Sequence, residues 1–198
     1  MAVPAPLSLQ EIRLRLASPQ PMVAPWPVPA LHNLRRASVL IPFQWIQAEW
    51  HILFTRRTDT VQDHKGQVSF PGGAADSQDI DEAGTAAREA YEEIGVALED
   101  IQILGRMGQI GTMTGYMITP VVASIPFPYP FQPSMNEVDR IFTIPLSWLA
   151  NPVHHFEKQR ATANGTLSPV IYFDEYDGEL LWGITAFITL NLINLLKM

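Results

Sequence analysis

The chain contains no cysteine, so neither a disulfide framework nor a thiolate metal centre is available to its 198 residues. That composition is compatible with a reducing cytoplasm, and any bound metal must take oxygen or imidazole donors. Basic residues are also scarce: 13 Lys and Arg face 20 Asp and Glu, for a net charge of −7. Phosphate-backbone binding needs clustered cations, so nucleic acid is not an expected partner. No uninterrupted apolar run of membrane-span length occurs either. The C-terminal "LLWGITAFITLNLINLLKM" approaches it but is broken by Gly183, Thr185, Asn191 and Asn194. It reads as a buried or dimer-facing helix, which allows a homodimer, and no membrane association is expected. The N-terminus has no basic start followed by an apolar run, so it does not read as a secretory signal.

What is present describes a folded chain, with 47% hydrophobic and 17% charged residues. Residues 1–34 hold a short amphipathic helix, "SLQEIRLRL", with Ser8 as its cap, and then a Pro-rich arm. Residues 35–198 form the main domain. There "ASVLIPFQW" and "WHILFTRR" read as a hairpin around "IQAE", and "IQILGRM", "MITPVVASI", "VDRIFTIPLSWL" and "VIYFDEYDGELLWGI" read as further strands or strand-to-helix passages. Between them "DEAGTAAREAYEEIG" is a helix, capped by Asp81 and ended by Gly95. The class is α/β, a mixed sheet covered by helices.

That helix is the chemically informative element. At 3.6 residues per turn Ala83, Ala86, Ala87, Ala90 and Ile94 fall on one side, and Glu82, Glu89, Glu92 and Glu93 on the other. Like charges at such spacing destabilise a bare helix by about 0.2–0.5 kcal/mol per pair. A hard divalent cation reverses that penalty, and Mg²⁺ typically takes one or two carboxylates, waters and phosphate oxygens. The alternative is a solvated acidic face. Directly upstream, "FPGG" gives backbone that can approach an ion, and Asp76, Asp79 and Asp81 add further acceptors.

The stretch "GG…REAYEEIGV" resembles the Nudix box: Gly, five residues, Glu, seven residues, Arg-Glu, an apolar residue, any residue, Glu-Glu, any residue, Gly, apolar. Arg88, Glu89, Ala90, Glu92, Glu93, Gly95 and Val96 match the second half. The first half departs, since the sixth residue after Gly73 is Asp79, not Glu, and eight residues separate it from Arg88. "HKGQVSFPGG" and the longer loop resemble the coenzyme A pyrophosphatase branch. So does the upstream run, in which Leu53, Thr55, Arg57, His64, Gly66 and Gln67 fit, while Thr58 replaces Ser or Ala and Gln62 replaces Arg.

The resemblance covers roughly residues 35–190 and implies an α/β/α sandwich. It also implies a Mg²⁺- or Mn²⁺-dependent hydrolase cleaving the pyrophosphate of coenzyme A or its thioesters, a small-molecule nucleotide. Other nucleoside diphosphate derivatives, or a regulatory domain that only binds nucleotide, are the alternatives. Glu89 and Glu93 would be metal ligands, Glu92 a ligand or water-mediated partner, and the Gly72 carbonyl a further oxygen. Gly73 and Gly95 are structural within the motif. Arg88 would pair with the loop acid Asp79, its alternative being a surface pair with Glu92. Glu137 in "NEVDRIF" is the candidate general base or else an ordinary loop acid. Arg57 and Lys65 are candidate readers of the 3′-phosphate or else plain surface cations, and His64 contacts substrate or is structural. His154 and His155 read as exposed loop residues.

Overall fold

The computed structural model describes residues 6–30, 32, 34–59, 66–161, 165 and 167–197. His64 and Lys65 lie outside the described residues. The α-helices among the described residues are α1 (Leu9–Leu16), α2 (Glu82–Ile94), α3 (Leu146–Ala150) and α4 (Gly183–Leu196). The strands are β1 (Arg35–Ile46), β2 (Glu49–Arg57), β3 (Val68–Ser69), β4 (Gly72–Ala74), β5 (Gln102–Arg106), β6 (Ile110–Gly111), β7 (Tyr116–Ser124), β8 (Val138–Pro145), β9 (His155–Ala161) and β10 (Leu167–Phe173).

The hairpin forms where the pattern places it, with reversal at Gln47 and Ala48. Both adopt positive φ, 49° and 65°, which matches the twist of the flanking strands. β1 is the organising strand. One of its edges pairs antiparallel with β4, Val39 opposite Gly72, and farther along with β2, Phe43 opposite Ile52. Its other edge pairs parallel with β7, Leu40 opposite Val121. β2 carries β8 and β3, while β7 carries β5 and β6, so the sheet is mixed.

Both faces of this sheet are buried, which explains its near-continuous apolar strands. Leu40, Leu53, Val121 and Ala123 point to α2, where Ala86, Ala90 and Ile94 close a small core. Ile41, Phe43, Ile52, Phe54 and Val122 point the other way, into a larger core with Ile12 and Leu16 of α1 and Ile188, Leu192 and Ile193 of α4. The fold is therefore an α/β/α sandwich with α2 on one side and α1, α3 and α4 on the other. Alanines suit α2 because small side chains let a helix lie close to the sheet.

The arm preceding β1 lies on the domain. Ser8 and Glu11 form a reciprocal capping box on α1, and the Trp26 indole N–H donates to the Gly111 carbonyl at 2.9 Å. α4 buries Ala186, Ile188, Leu192, Ile193 and Leu196, so the apolar C-terminal helix is a core element. Among the described residues, no helix is long and apolar enough to cross a membrane.

The two histidines expected in an exposed loop are half-buried. His154 stacks on Trp148 at 4.4 Å between ring centroids, with its Nδ1 3.3 Å from Asp174, and His155 opens β9 of a separate β9–β10 ribbon. Aromatic packing with no local periodicity placed them there, and it leaves no trace in the spacing.

α2 begins at Asp81, whose carboxylate accepts from the Gly84 N–H at 2.8 Å, and ends at Gly95 with φ 70°. A Cβ on Gly95 would stand 2.8 Å from the Gln132 side chain and 3.1 Å from its backbone. Gly95→Ala is thus expected to destabilise the fold by at least about 1 kcal/mol, lowering Tm by roughly 2–4 °C. Calorimetry of the two proteins side by side checks this, and an unchanged Tm contradicts the cap.

Candidate active site

The site lies where β4, the acidic loop 75–81 and α2 meet. Strand β4 is pinned to β1, and the Ala75 N–H continues the pairing by donating to the Arg36 carbonyl at 2.9 Å. The loop then folds on its own acids. Asp76 accepts from the Gln78 N–H at 2.9 Å, and the Asp76 N–H donates to Asp79 at 2.8 Å. Thr85, buried on the first turn of α2, donates its hydroxyl to the same Asp79 oxygen at 2.9 Å.

Asp79 meets Arg88 in a two-pronged ion pair, with Nε and Nη2 each 3.0 Å from a carboxylate oxygen. The one-residue-longer loop brings the shorter acid into register with the guanidinium. Arg88 spends its other donors inside the site, on the Ala74 carbonyl at 3.1 Å, Glu89 at 2.8 Å and Glu92 at 3.1 Å. The loop pair and the Glu92 pair thus coexist. The Arg88 guanidinium holds the Asp79 carboxyl well below the usual carboxylate range, and Asp79 in turn raises the Arg88 pKa further.

The helix glutamates do not all lie on the side opposite the alanines, where a two-face reading of α2 puts them. Glu93 is seven residues, two turns, beyond Ala86 and so lies on the buried stripe, only 4% exposed. Glu89 is largely covered, whereas the Glu92 side chain is 55% exposed at the outer rim. Gly73 makes room for Glu89, since an ideal Cβ there would fall 2.5 Å from Glu89 Oε2. The Gly72 N–H donates to Glu93 Oε2 at 3.3 Å, and Arg57 Nη1 stands 3.7 Å from Glu93 Oε1.

Burial pushes the Glu93 carboxyl up to about 8 against the opposing pull of Arg57, and burial raises Glu89 as well despite Arg88. The charge of Glu137 adds to both rises, which puts its carboxylate within electrostatic reach of the pair. The chain following β7 loops back onto α2 to bring Glu137 there. The Gln132 N–H donates to the Ile94 carbonyl at 3.0 Å and the Ser134 N–H to the Glu93 carbonyl at 2.8 Å.

Glu89, Glu93, Arg57, Arg88, Asp79, Gly72, Gly73 and Glu137 therefore converge, with Glu92 at the edge. Thr85 and Ser134 escaped the sequence reading. A threonine six residues after the loop acid was the available signal for the first; for the second, a tertiary backbone contact, there was none.

Among the described residues, no three Asp, Glu, His or Cys side chains form a closed metal cluster. Two carboxylates beside a glycine backbone nevertheless suit Mg²⁺, which keeps waters and borrows phosphate oxygens from its substrate. A buried carboxyl that resists ionisation alone is the kind of donor a cation stabilises in its charged form.

Comparison with known proteins bears on the family and the fold. Residues 34–164 match the family model for the NUDIX domain. The uncharacterized Nudix hydrolase NudL of Yersinia pestis (strain Pestoides F) is 36% identical over 160 residues, spanning 80% of this chain and 78% of that protein. NudL of Yersinia pseudotuberculosis serotype O:1b (strain IP 31758) matches to the same extent. Among solved structures, the Nudix hydrolase RenU of M. smegmatis aligns with a TM-score of 0.50 at 20% identity, over 59% of this chain and 73% of that one, a likeness of fold.

The raised Glu93 carboxyl has a consequence for stability. Folding keeps it protonated over a pH range in which the unfolded chain ionises, so the folded state binds more protons and loses stability as pH rises from about 4.5 to about 8. In EDTA, Glu93→Gln is expected to flatten that decline and to have the higher Tm at pH 8. Differential scanning calorimetry at pH 5.5 and pH 8 decides it, and an unchanged pH slope in the variant contradicts the burial argument.

Proposed function

The chain belongs to the Nudix hydrolase family, and on that premise we propose that it cleaves the pyrophosphate of coenzyme A or acyl-coenzyme A with a divalent cation held by Glu89 and Glu93. The observation that carries the reading is the pair of sheltered carboxylates over the Gly72–Gly73 strand, with Arg57 facing one and Arg88 bonded to the other. Glu92, at the outer rim, fits a water-mediated contact. The Gly72 carbonyl adds a backbone oxygen. Glu89 and Glu93 would hold Mg²⁺ or Mn²⁺, and the chemistry supplied there would be neutralisation of pyrophosphate charge and a lowered pKa of water.

The protein's own residues do the remaining work. Arg88 holds Glu89 in place and ties loop 75–81 to α2. Glu137, exposed and carried next to α2 by the Ser134–Glu93 backbone bond, takes the proton from the attacking water. Arg57 sits close to Glu93, which suits a contact with the pyrophosphate itself and leaves the 3′-phosphate to other cations. Support for coenzyme A as substrate comes from the sequence: Leu53, Thr55 and Arg57 upstream and "HKGQVSFPGG" resemble that branch. A purely nucleotide-binding domain is disfavoured because Glu89, Glu92 and Glu93 are all present.

Product analysis with coenzyme A, ADP-ribose, NADH and diadenosine polyphosphates tests the substrate. The expected products are 3′,5′-ADP and 4′-phosphopantetheine from coenzyme A, with Glu93→Gln slower by about 100-fold or more. Much faster turnover of ADP-ribose or a dinucleotide overturns the coenzyme A reading.

Arg57→Ala separates the two phosphate roles. It is expected to reduce kcat/KM for coenzyme A and dephospho-coenzyme A by the same factor, roughly 10- to 100-fold. A loss confined to coenzyme A would move Arg57 to the 3′-phosphate.

A further inference from the structure

Glu137 is exposed, and among the described residues no side chain hydrogen-bonds or ion-pairs with its carboxylate. Its placement beside Glu93 therefore depends on how its backbone is held. Two anchors hold it. On the α2 side, the Glu137 N–H donates to the Ser134 carbonyl at 2.9 Å, and Ser134 itself hangs on the Glu93 carbonyl. On the β2 side, Thr58 grips two consecutive peptides, its N–H donating to the Glu137 carbonyl and its hydroxyl to the Asn136 carbonyl, both at 3.0 Å.

The second grip follows from an irregularity in the sheet. Arg56 pairs with Arg140, but the next residue, Arg57, pairs with Val138, so β8 bulges at Asp139. A bulge bends its strand and re-aims neighbouring side chains. Beyond it the ladder has one further rung, Thr58 to Glu137. The hydroxyl of Thr58 adds a bond that the ladder alone does not supply. It fixes the peptide immediately preceding Glu137, and with it the orientation of the Glu137 Cα–Cβ bond.

We propose that Thr58 is a positioning residue for the general base: its hydroxyl, acting through the Asn136 carbonyl, sets the approach of the Glu137 carboxylate to the Glu89–Glu93 pair. The proposal rests on the reading of Glu137 as base. Thr58 follows Arg57 directly, so one strand end presents a phosphate-facing cation and orients the proton acceptor. In this chain Thr58 supplies a hydroxyl donor there, which Ser would also supply and an apolar isostere would not.

The experiment is a double-mutant cycle on Thr58 and Glu137, assayed on coenzyme A with Mg²⁺, or on ADP-ribose if that is the compound hydrolysed. Thr58→Val preserves shape and the backbone N–H while removing the hydroxyl. It is expected to lower kcat about 10-fold with little change in KM, since small misplacements of a reacting group are costly. Thr58→Ser is expected to stay within about twofold of wild type, because it keeps the donor. In a Glu137→Gln background Thr58→Val should cause no further loss, because the two changes act through one group. Thr58→Ala is the second hydroxyl-free variant should valine lower Tm.

An equal loss from Thr58→Val in both backgrounds overturns the proposal, as does full activity of Thr58→Val beside an inactive Glu137→Gln. Full activity of Glu137→Gln is a different failure: it removes Glu137 as the base, and the role of Thr58 falls with it.

Discussion

One guanidinium organises the site. Arg88 has five N–H donors in a rigid plane, and its hydrogen bonds go to Asp79, the Ala74 carbonyl, Glu89 and Glu92. Those partners belong to the loop, the end of β4 and α2. Without this cation, Asp79 and Glu89 would be sheltered acids without a counter-charge, an arrangement that costs several kcal/mol. The same group thus compensates charge and fixes geometry. Lysine could supply the charge but not the planar fork.

The sheet makes that geometry possible. α2 rests on β1 and β7 through Ala86, Ala90 and Ile94, and this packing sets the height of the helix over the Gly72–Gly73 strand. Glu89 then occupies the space where a Cβ of Gly73 would be. Glu93 is carried into the buried stripe by the same helical period. Its carboxyl resists ionisation for that reason. The structure accepts a destabilising group where a cation would reverse the penalty, and such local strain is what a metal-dependent site predicts.

Much of this was legible in the sequence because it is local. The caps Asp81 and Gly95, the hairpin around Gln47, and the spacing of Glu89, Glu92 and Glu93 from Arg88 each follow from short-range rules that the fold obeys. The Asp79–Arg88 pair was legible only through family resemblance, and the departure in spacing obscured it. What was not legible is tertiary. The return of the chain at Ser134 onto the end of α2, the grip of Thr58 on Asn136, the approach of Asp174 to His154 and the docking of the N-terminal arm at Gly111 all depend on residues far apart in sequence. The division of the α2 acids failed in part because it set Glu93 on the side opposite the alanines, whereas that carboxylate occupies a core position.

The central claim is that Glu89, held by Arg88, forms a divalent-cation site together with Glu93. Titration calorimetry with Mn²⁺ alone tests it most directly, comparing wild type, Glu89→Gln and Arg88→Lys, with circular dichroism to confirm folding. The account predicts binding by the wild type, loss of that binding in Glu89→Gln, and affinity weakened about 10- to 100-fold in Arg88→Lys, since residues that orient metal ligands typically matter by that much. Unchanged Mn²⁺ affinity in both folded variants would contradict it.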